Sequence, residues 1–265
     1  MKVSALDFQI FLVRLGHEYF FQGFYYFKFL EYPLVYNNLN LDPRDKYLDI
    51  GSGQSIFPLF ALVKNDCYVQ VYDDYSLIKD SMEYYKNIIE KMSLSPSSKE
   101  KFTINETTET DLPSDYFDKI SCISVLEHSR GNGDTETIKT ISRILKKRGK
   151  VVMTLPFNNG EYIEEENPED IGFFQRLYSL DAIKHRIGDP SGLEVEKVIY
   201  FGECNAHIGR LYRQNKFHRL KWIMPFFPSF FWRICHSYEG GFRCFHEKEL
   251  DKKYIGVSCI VMRKK

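Results

Sequence analysis

The run Tyr47-Leu48-Asp49-Ile50-Gly51-Ser52-Gly53 limits what this chain can fold into more than any other stretch. A short apolar strand reaches an acid and turns through Gly-x-Gly. It then enters an apolar segment, Ile56 to Val63, that can start a helix. Glycines let the backbone turn tightly and approach a ligand closely. A helix start offers free N–H groups at the same place. This strand-turn-helix arrangement suits a nucleotide-type cofactor at the carboxyl end of a first parallel strand. The tripeptide by itself is equally an ordinary turn, so the spacing downstream has to decide.

About twenty residues on, Cys67 to Tyr72 reads as a second strand, and it ends in Asp73 and Asp74. An acid there can accept hydrogen bonds from a ribose diol. Asp73 takes that role because it directly follows the apolar run. Asp74 is grouped with it in the cofactor site, while one acid of the pair can cap the helix beginning near Ser76. A strand from Lys119 to Ser124 leads into Val125-Leu126-Glu127-His128. Next comes a helix with Asp134 as its expected cap and Ile138, Ile141, Ile144 and Leu145 on one face. The basic residues and glycine at 146–149 stop it. Further strands are expected at 150–155, 193–201 and 255–262. Strands alternating with helices predict an α/β fold with a mostly parallel sheet and helices on both faces.

Together, Leu-Asp-Ile-Gly-Ser-Gly at 48–53, Val-Tyr-Asp-Asp at 71–74, Leu-Pro at 112–113 with Phe-Asp at 117–118, Val-Leu-Glu-His at 125–128 and Ile-Leu-Lys-Lys-Arg-Gly-Lys at 144–150 resemble class I S-adenosylmethionine-dependent methyltransferases. The likeness is tightest over 41–157. It implies a Rossmann-like sheet of seven strands, the last inserted antiparallel between the fifth and sixth, with S-adenosyl-L-methionine as cofactor. Carried over residue by residue, Asp49, Gly51, Ser52 and Gly53 match the loop under the methionine part. Asp73 matches the ribose acid, and 107–112 the adenine contact, through Thr108 or Asp111. Ser124 and Val125 match the wall beside the methyl donor. The pattern departs at Ser55, where a third glycine is common, and at Thr108, where an acid is common.

The expected organisation is an N-terminal aromatic cap at 1–40 and a core at 41–265, with an insertion at about 203–254. The cap carries a dense aromatic run at 19–27, followed by Phe29, Glu31 and Tyr32. It reads either as packing over the sheet edge or as a lid on the substrate pocket. The insertion carries Trp222 to Trp232, rich in aromatics and flanked by Arg219, Lys221 and Arg233. A pocket wall, a dimer contact and a membrane surface all fit it. The pocket wall leads, because Pro225 and Pro228 break any long amphipathic helix. The acidic stretch Glu161 to Asp170 reads as a solvated face.

The chain of 265 residues carries no net charge, which argues against nucleic acid as a partner. Six cysteines without a CxxC pair, and no leader-like start, suggest a reduced cytoplasmic protein. The expected acceptor is a small molecule, apolar or amphipathic, with an oxygen nucleophile favoured and His128 as its base. The resemblance includes relatives with Glu-x-x-Glu-His and a divalent metal. Ser124 stands at the first glutamate here, so no metal is expected. An NAD-dependent oxidoreductase is a rival reading, although Ile56 occupies the position of its third glycine. A catalytically silent binding protein of the same fold is another.

Overall fold

The computed structural model describes residues 2–16, 28–73, 78–105, 111–166, 173–203, 242–245 and 255–265. Its main sheet comprises β1 (Lys46–Ile50), β2 (Tyr68–Tyr72), β3 (Phe102–Asn105), β4 (Phe117–Ile123), β5 (Leu145–Asn158), β8 (Glu194–Glu203), β9 (Phe242–Phe245) and β10 (Ile255–Arg263). A separate two-stranded hairpin pairs β6 (Ile163–Glu166) with β7 (Phe174–Leu177). The order across the main sheet is β3-β2-β1-β4-β5-β10-β8-β9. Strands β1 to β5 pair in parallel, and β10 runs antiparallel between β5 and β8. The expected antiparallel last strand is therefore present. The count differs from the expected seven: β9 adds an eighth strand at the edge, antiparallel to β8. It falls inside the stretch read as an insertion. The short strand β3 also escaped the sequence reading, because only four residues carry its signal.

The alternation of side chains along each strand sorts the core into two layers. Tyr47, Val69 and Val71 face a cluster built with Phe8 and Phe11 of α1 (Ala5–Leu15), Val35 and Leu39 of α2 (Lys28–Leu39), Phe57 and Phe60 of α3 (Phe57–Asn65), and Tyr85 and Ile88 of α4 (Ile78–Lys91). A one-turn helix, α5 (Pro96–Glu100), leads into β3. Leu48, Ile50, Ile120 and Met153 face the opposite cluster. That layer includes Ile138, Ile141 and Ile144 of α6 (Gly133–Ile144), and Ile183 and Ile187 of the helical stretch after β7. Helices thus cover both faces. The N-terminal helices belong to the first layer: Phe8 stacks on Phe60 with ring centroids 3.9 Å apart, and α2 packs against β4, β5 and β10.

Two local expectations change. Leu145 opens β5 instead of closing α6, because the chain turns directly from helix to strand. Asp134 is not the cap of α6; Asn132 holds that position. Asp134 is fully buried and accepts hydrogen bonds from the Tyr178 hydroxyl (2.9 Å) and from Arg186 Nε (2.8 Å).

Candidate functional site

The loop after β1 is built from backbone. Gly51 has φ +68° and donates its N–H to the Tyr72 carbonyl (2.8 Å), which ties the end of β1 to the end of β2. A Cβ at Gly51 would lie 2.5 Å from both Val125 methyl carbons, so only glycine lets the loop rest against the end of β4. Gly53, at φ +49°, donates its N–H to Asp73 Oδ2 (2.7 Å). The same oxygen accepts from the Ser81 hydroxyl (2.8 Å). Asp73 therefore braces the loop from the end of β2. The Ser52 hydroxyl is buried and makes no well-formed hydrogen bond. The Tyr85 hydroxyl beside it gives its proton to the Ser55 carbonyl instead (2.9 Å).

Asp49 points into the first layer, 3% exposed. Burial pushes its carboxyl up to about 7, an effect offset in part by donation from Ser121. Ser121 is in turn bonded to Tyr47 Oη at 2.6 Å. Ser55, where a third glycine was anticipated, bonds Tyr32 Oη of α2 (2.8 Å) and accepts the Phe57 N–H (3.1 Å), so it locks two helices to the loop.

The end of β4 is built from side chains. Ser124 adopts φ +54°, a left-handed conformation that a non-glycine residue holds only under the constraint of its surroundings. Its hydroxyl donates to Glu31 Oε1 of α2 at 2.6 Å. Glu31 is 1% exposed, and its Oε2 pairs with Lys28 Nζ at 2.7 Å. Three residues past Ser124, Glu127 is 2% exposed with Oε2 buried and unbonded. Burial pushes its carboxyl up to about 8; Lys28 lowers it and Glu31 raises it, so the three groups share one electrostatic neighbourhood.

His128 Nδ1 lies 2.8 Å from the Phe174 carbonyl of β7. A carbonyl only accepts, so Nδ1 carries the hydrogen and the lone pair of the neutral ring falls on Nε2. That Nε2 is 3.9 Å from Glu127 Oε1, on a side chain 55% exposed. The backbone-bonded role and the lone-pair role thus coexist in one ring.

The turn bearing Glu127 and His128 is clamped from below. Arg176 of β7 is fully buried and donates to the carbonyls of Ser129 and Gly131, the latter at 2.6 Å. Its Nε also reaches the Tyr162 hydroxyl (2.8 Å), and Asp134 lies 3.8 Å from its guanidinium. The acidic stretch contributes to this clamp: Glu164 pairs with Arg176 and Glu166 with Arg130, while residues 167–170 lie outside the described residues.

The structure thus brings Asp49, Gly51, Ser52, Gly53, Asp73, Ser124, Val125 and His128 to the carboxyl ends of β1, β2 and β4. Asp111 is exposed, beyond β3. Asp74, Thr108 and the aromatic segment Trp222 to Trp232 lie outside the described residues. Sequence reasoning missed the burial of Glu31 and Glu127 near Lys28 at the end of β4. The available signal was an acid set in an aromatic run, Phe29-Leu30-Glu31-Tyr32, and a second acid closing the strand-end motif. Among the described residues, no group of three or more His, Cys, Asp or Glu could hold a metal ion, and no helix is long and apolar enough to cross a membrane.

No family model and no curated protein sequence matches the chain. Solved structures do. The mycolic acid cyclopropane synthase CmaA1, determined with SAH and CTAB, aligns with a TM-score of 0.57 over 100% of this chain and 99% of its own, at 14% identity. Coclaurine N-methyltransferase, bound to N-methylheliamine and SAH, aligns with a TM-score of 0.56 over 90% of this chain and 70% of its own, also at 14% identity. Phosphoethanolamine N-methyltransferase 2 of Haemonchus contortus, in complex with S-adenosyl-L-methionine, gives 0.53 over 89% of this chain at 12% identity. This chain spans 52% of that protein's length. The fold is that of the class I methyltransferases.

Proposed function

We propose that this protein is an S-adenosylmethionine-dependent methyltransferase acting on a small-molecule acceptor. The observation that carries the reading is the glycine loop after β1. Its Gly53 N–H is bonded to a buried strand-end acid, and its Ser52 hydroxyl is buried without a well-formed hydrogen bond. A buried hydroxyl in that state costs free energy unless a ligand completes it. Asp49 and the 51–53 loop would hold the methionine part and Asp73 the ribose. Asp74 and the Thr108 to Asp111 stretch are assigned with them on the sequence resemblance. When bound, the cofactor supplies a methyl group already activated on a sulfonium.

The task left to the chain is alignment, together with removal of one proton from the acceptor. Ser124 and Val125 form the wall where the acceptor meets the donor. His128 Nε2, half open to solvent, is the outward proton acceptor. The aromatic 222–232 segment is assigned to the acceptor pocket wall, which suits an apolar or amphipathic skeleton. Calorimetric titration decides between cofactors: micromolar binding of S-adenosylmethionine without NAD binding is expected. The reverse result returns the site to the dinucleotide oxidoreductase reading. Isotope-labelled methyl transfer then separates an enzyme from a silent binder.

A further inference from the structure

Among the described residues, five other than glycine hold a positive φ: Asn40, Asp66, Asp115, Ser124 and Arg148. Three are Asn or Asp, whose short side chains tolerate that region. Arg148 lies exposed near the start of β5, far from the site. Ser124 alone stands at the carboxyl end of a site strand. Its N–H still donates to the Thr154 carbonyl of β5 (3.1 Å), as the ladder requires. Its φ of +54° then turns the chain aside, and the next residue, Val125, comes to rest on Gly51. A side chain on an L-residue crowds its own carbonyl in that conformation, so something must hold the torsion.

The hold comes from one turn of α2. The Ser124 hydroxyl donates to Glu31 Oε1 at 2.6 Å. Lys28 Nζ pairs with the other Glu31 oxygen at 2.7 Å and lies 3.5 Å from the carbonyl of Ile123, the residue before Ser124. One residue after Glu31, Tyr32 Oη bonds Ser55 of the loop after β1 (2.8 Å). The same turn therefore touches both walls of the candidate cofactor site. Glu31 is 1% exposed. A buried ion pair seldom adds net stability over apolar groups of the same size, so its effect lies in where it holds its partners.

We infer that Glu31 is a positioning residue for methyl transfer: through the Ser124 hydroxyl it fixes the left-handed turn at the end of β4, and that turn sets where Val125 stands against the glycine loop. This rests on the methyltransferase reading, in which Ser124 and Val125 line the place of the methyl donor. Without the carboxylate, Ser124 relaxes toward negative φ. Val125 follows directly in the chain, so it leaves Gly51, and the loop that would carry the methionine part loses its backing. Glycine at 124 needs no such hold, because positive φ is open to it.

The test is a cycle read by calorimetry of S-adenosylmethionine on the full chain, each variant first checked for folding by circular dichroism. Glu31→Ala is expected to weaken binding tenfold or more. In a Ser124→Gly background the same substitution should cost less than about threefold. Lys28 loses its partner in both backgrounds, so that loss cancels in the comparison. Glu31→Gln keeps an acceptor for the Ser124 hydroxyl and should restore most of the affinity. A merely structural Glu31 would lower stability and leave the affinity of the folded protein unchanged, which would overturn the assignment. An equal loss in both backgrounds would overturn it as well, since Glu31 would then act by another route. If Glu31→Ala does not fold, position 124 decides alone: Ser124→Ala should bind tenfold or more weakly than Ser124→Gly, and equal binding rejects the inference. An unmodified protein that does not bind S-adenosylmethionine sinks the earlier reading instead.

Discussion

The ends of β1 and β4 lie against each other, Gly51 on Val125, yet they are built by opposite means. The β1 end works through main-chain groups: two glycines at positive φ, one N–H given to Tyr72 and another to Asp73. Its partners come from the next strand and helix. The β4 end works through side chains recruited from far along the chain. Glu31 lies 93 residues before Ser124, and Phe174 lies 46 residues after His128. Glycine spacing can specify the first kind of site, because the requirement is steric and local. Only the completed fold can assemble the second.

If the β4 end depends on remote support, removing that support should be the most damaging change. Arg176→Leu strips a fully buried guanidinium from Asp134 and leaves the Ser129 and Gly131 carbonyls without their donor. A loss of about 3–5 kcal/mol in chemical denaturation is expected. An effect under about 1 kcal/mol would mean that the clamp is ornamental. Gly51→Ala attacks the β1 end. It places a Cβ against the stiff Val125 and forces alanine to φ +68°, with an expected cost of about 2–4 kcal/mol. Val125→Ala in the same chain should recover part of that cost; no recovery would show that the two ends are not in steric contact.

Asp73→Asn is smaller and more selective. It removes the charge that the Gly53 amide and Ser81 hydroxyl point to, and should weaken S-adenosylmethionine binding by about 1.5–3 kcal/mol by calorimetry. The last test is of pH, where the change per pH unit is small. Burial raises Asp49 to about 7 and Glu127 to about 8 in the folded chain, well above their unfolded values. The folded state then holds more protons than the unfolded one between about pH 4 and 8, so stability should fall as pH rises across that window. The slope is at most about 1.4 kcal/mol per pH unit from each group. Asp49→Asn should flatten the lower part of the slope and Glu127→Gln the upper part. A stability that climbs through this range would show that both carboxyls are ionised when folded.

Much of the fold was legible. Buried parallel strands read as apolar runs, so β1, β2, β4 and β5 stood out, and Ile138, Ile141 and Ile144 marked the buried face of α6. Short β3 and β9 did not stand out, since four residues leave little periodicity to read. Asp134 looked like a cap because it sat near a helix start. Its real partners, Tyr178 and Arg186, are 44 and 52 residues away. Cys67, Cys122 and Cys259 were read as buried thiols and are buried, outside any disulfide.

By itself the sequence determined the order of the longer strands and of the helices between them, the glycine turn after β1 and the acid at the end of β2. Each of these follows from backbone sterics or hydrophobic period within a few residues. Tertiary structure alone decided that Glu31 would meet Ser124, that Lys28 would pair with Glu31, that Glu127 would be buried near both, and that His128 would be held by Phe174 with Nε2 outward. Those contacts join residues with no local reason to be neighbours, and what a buried charge needs depends on every group that shares its pocket.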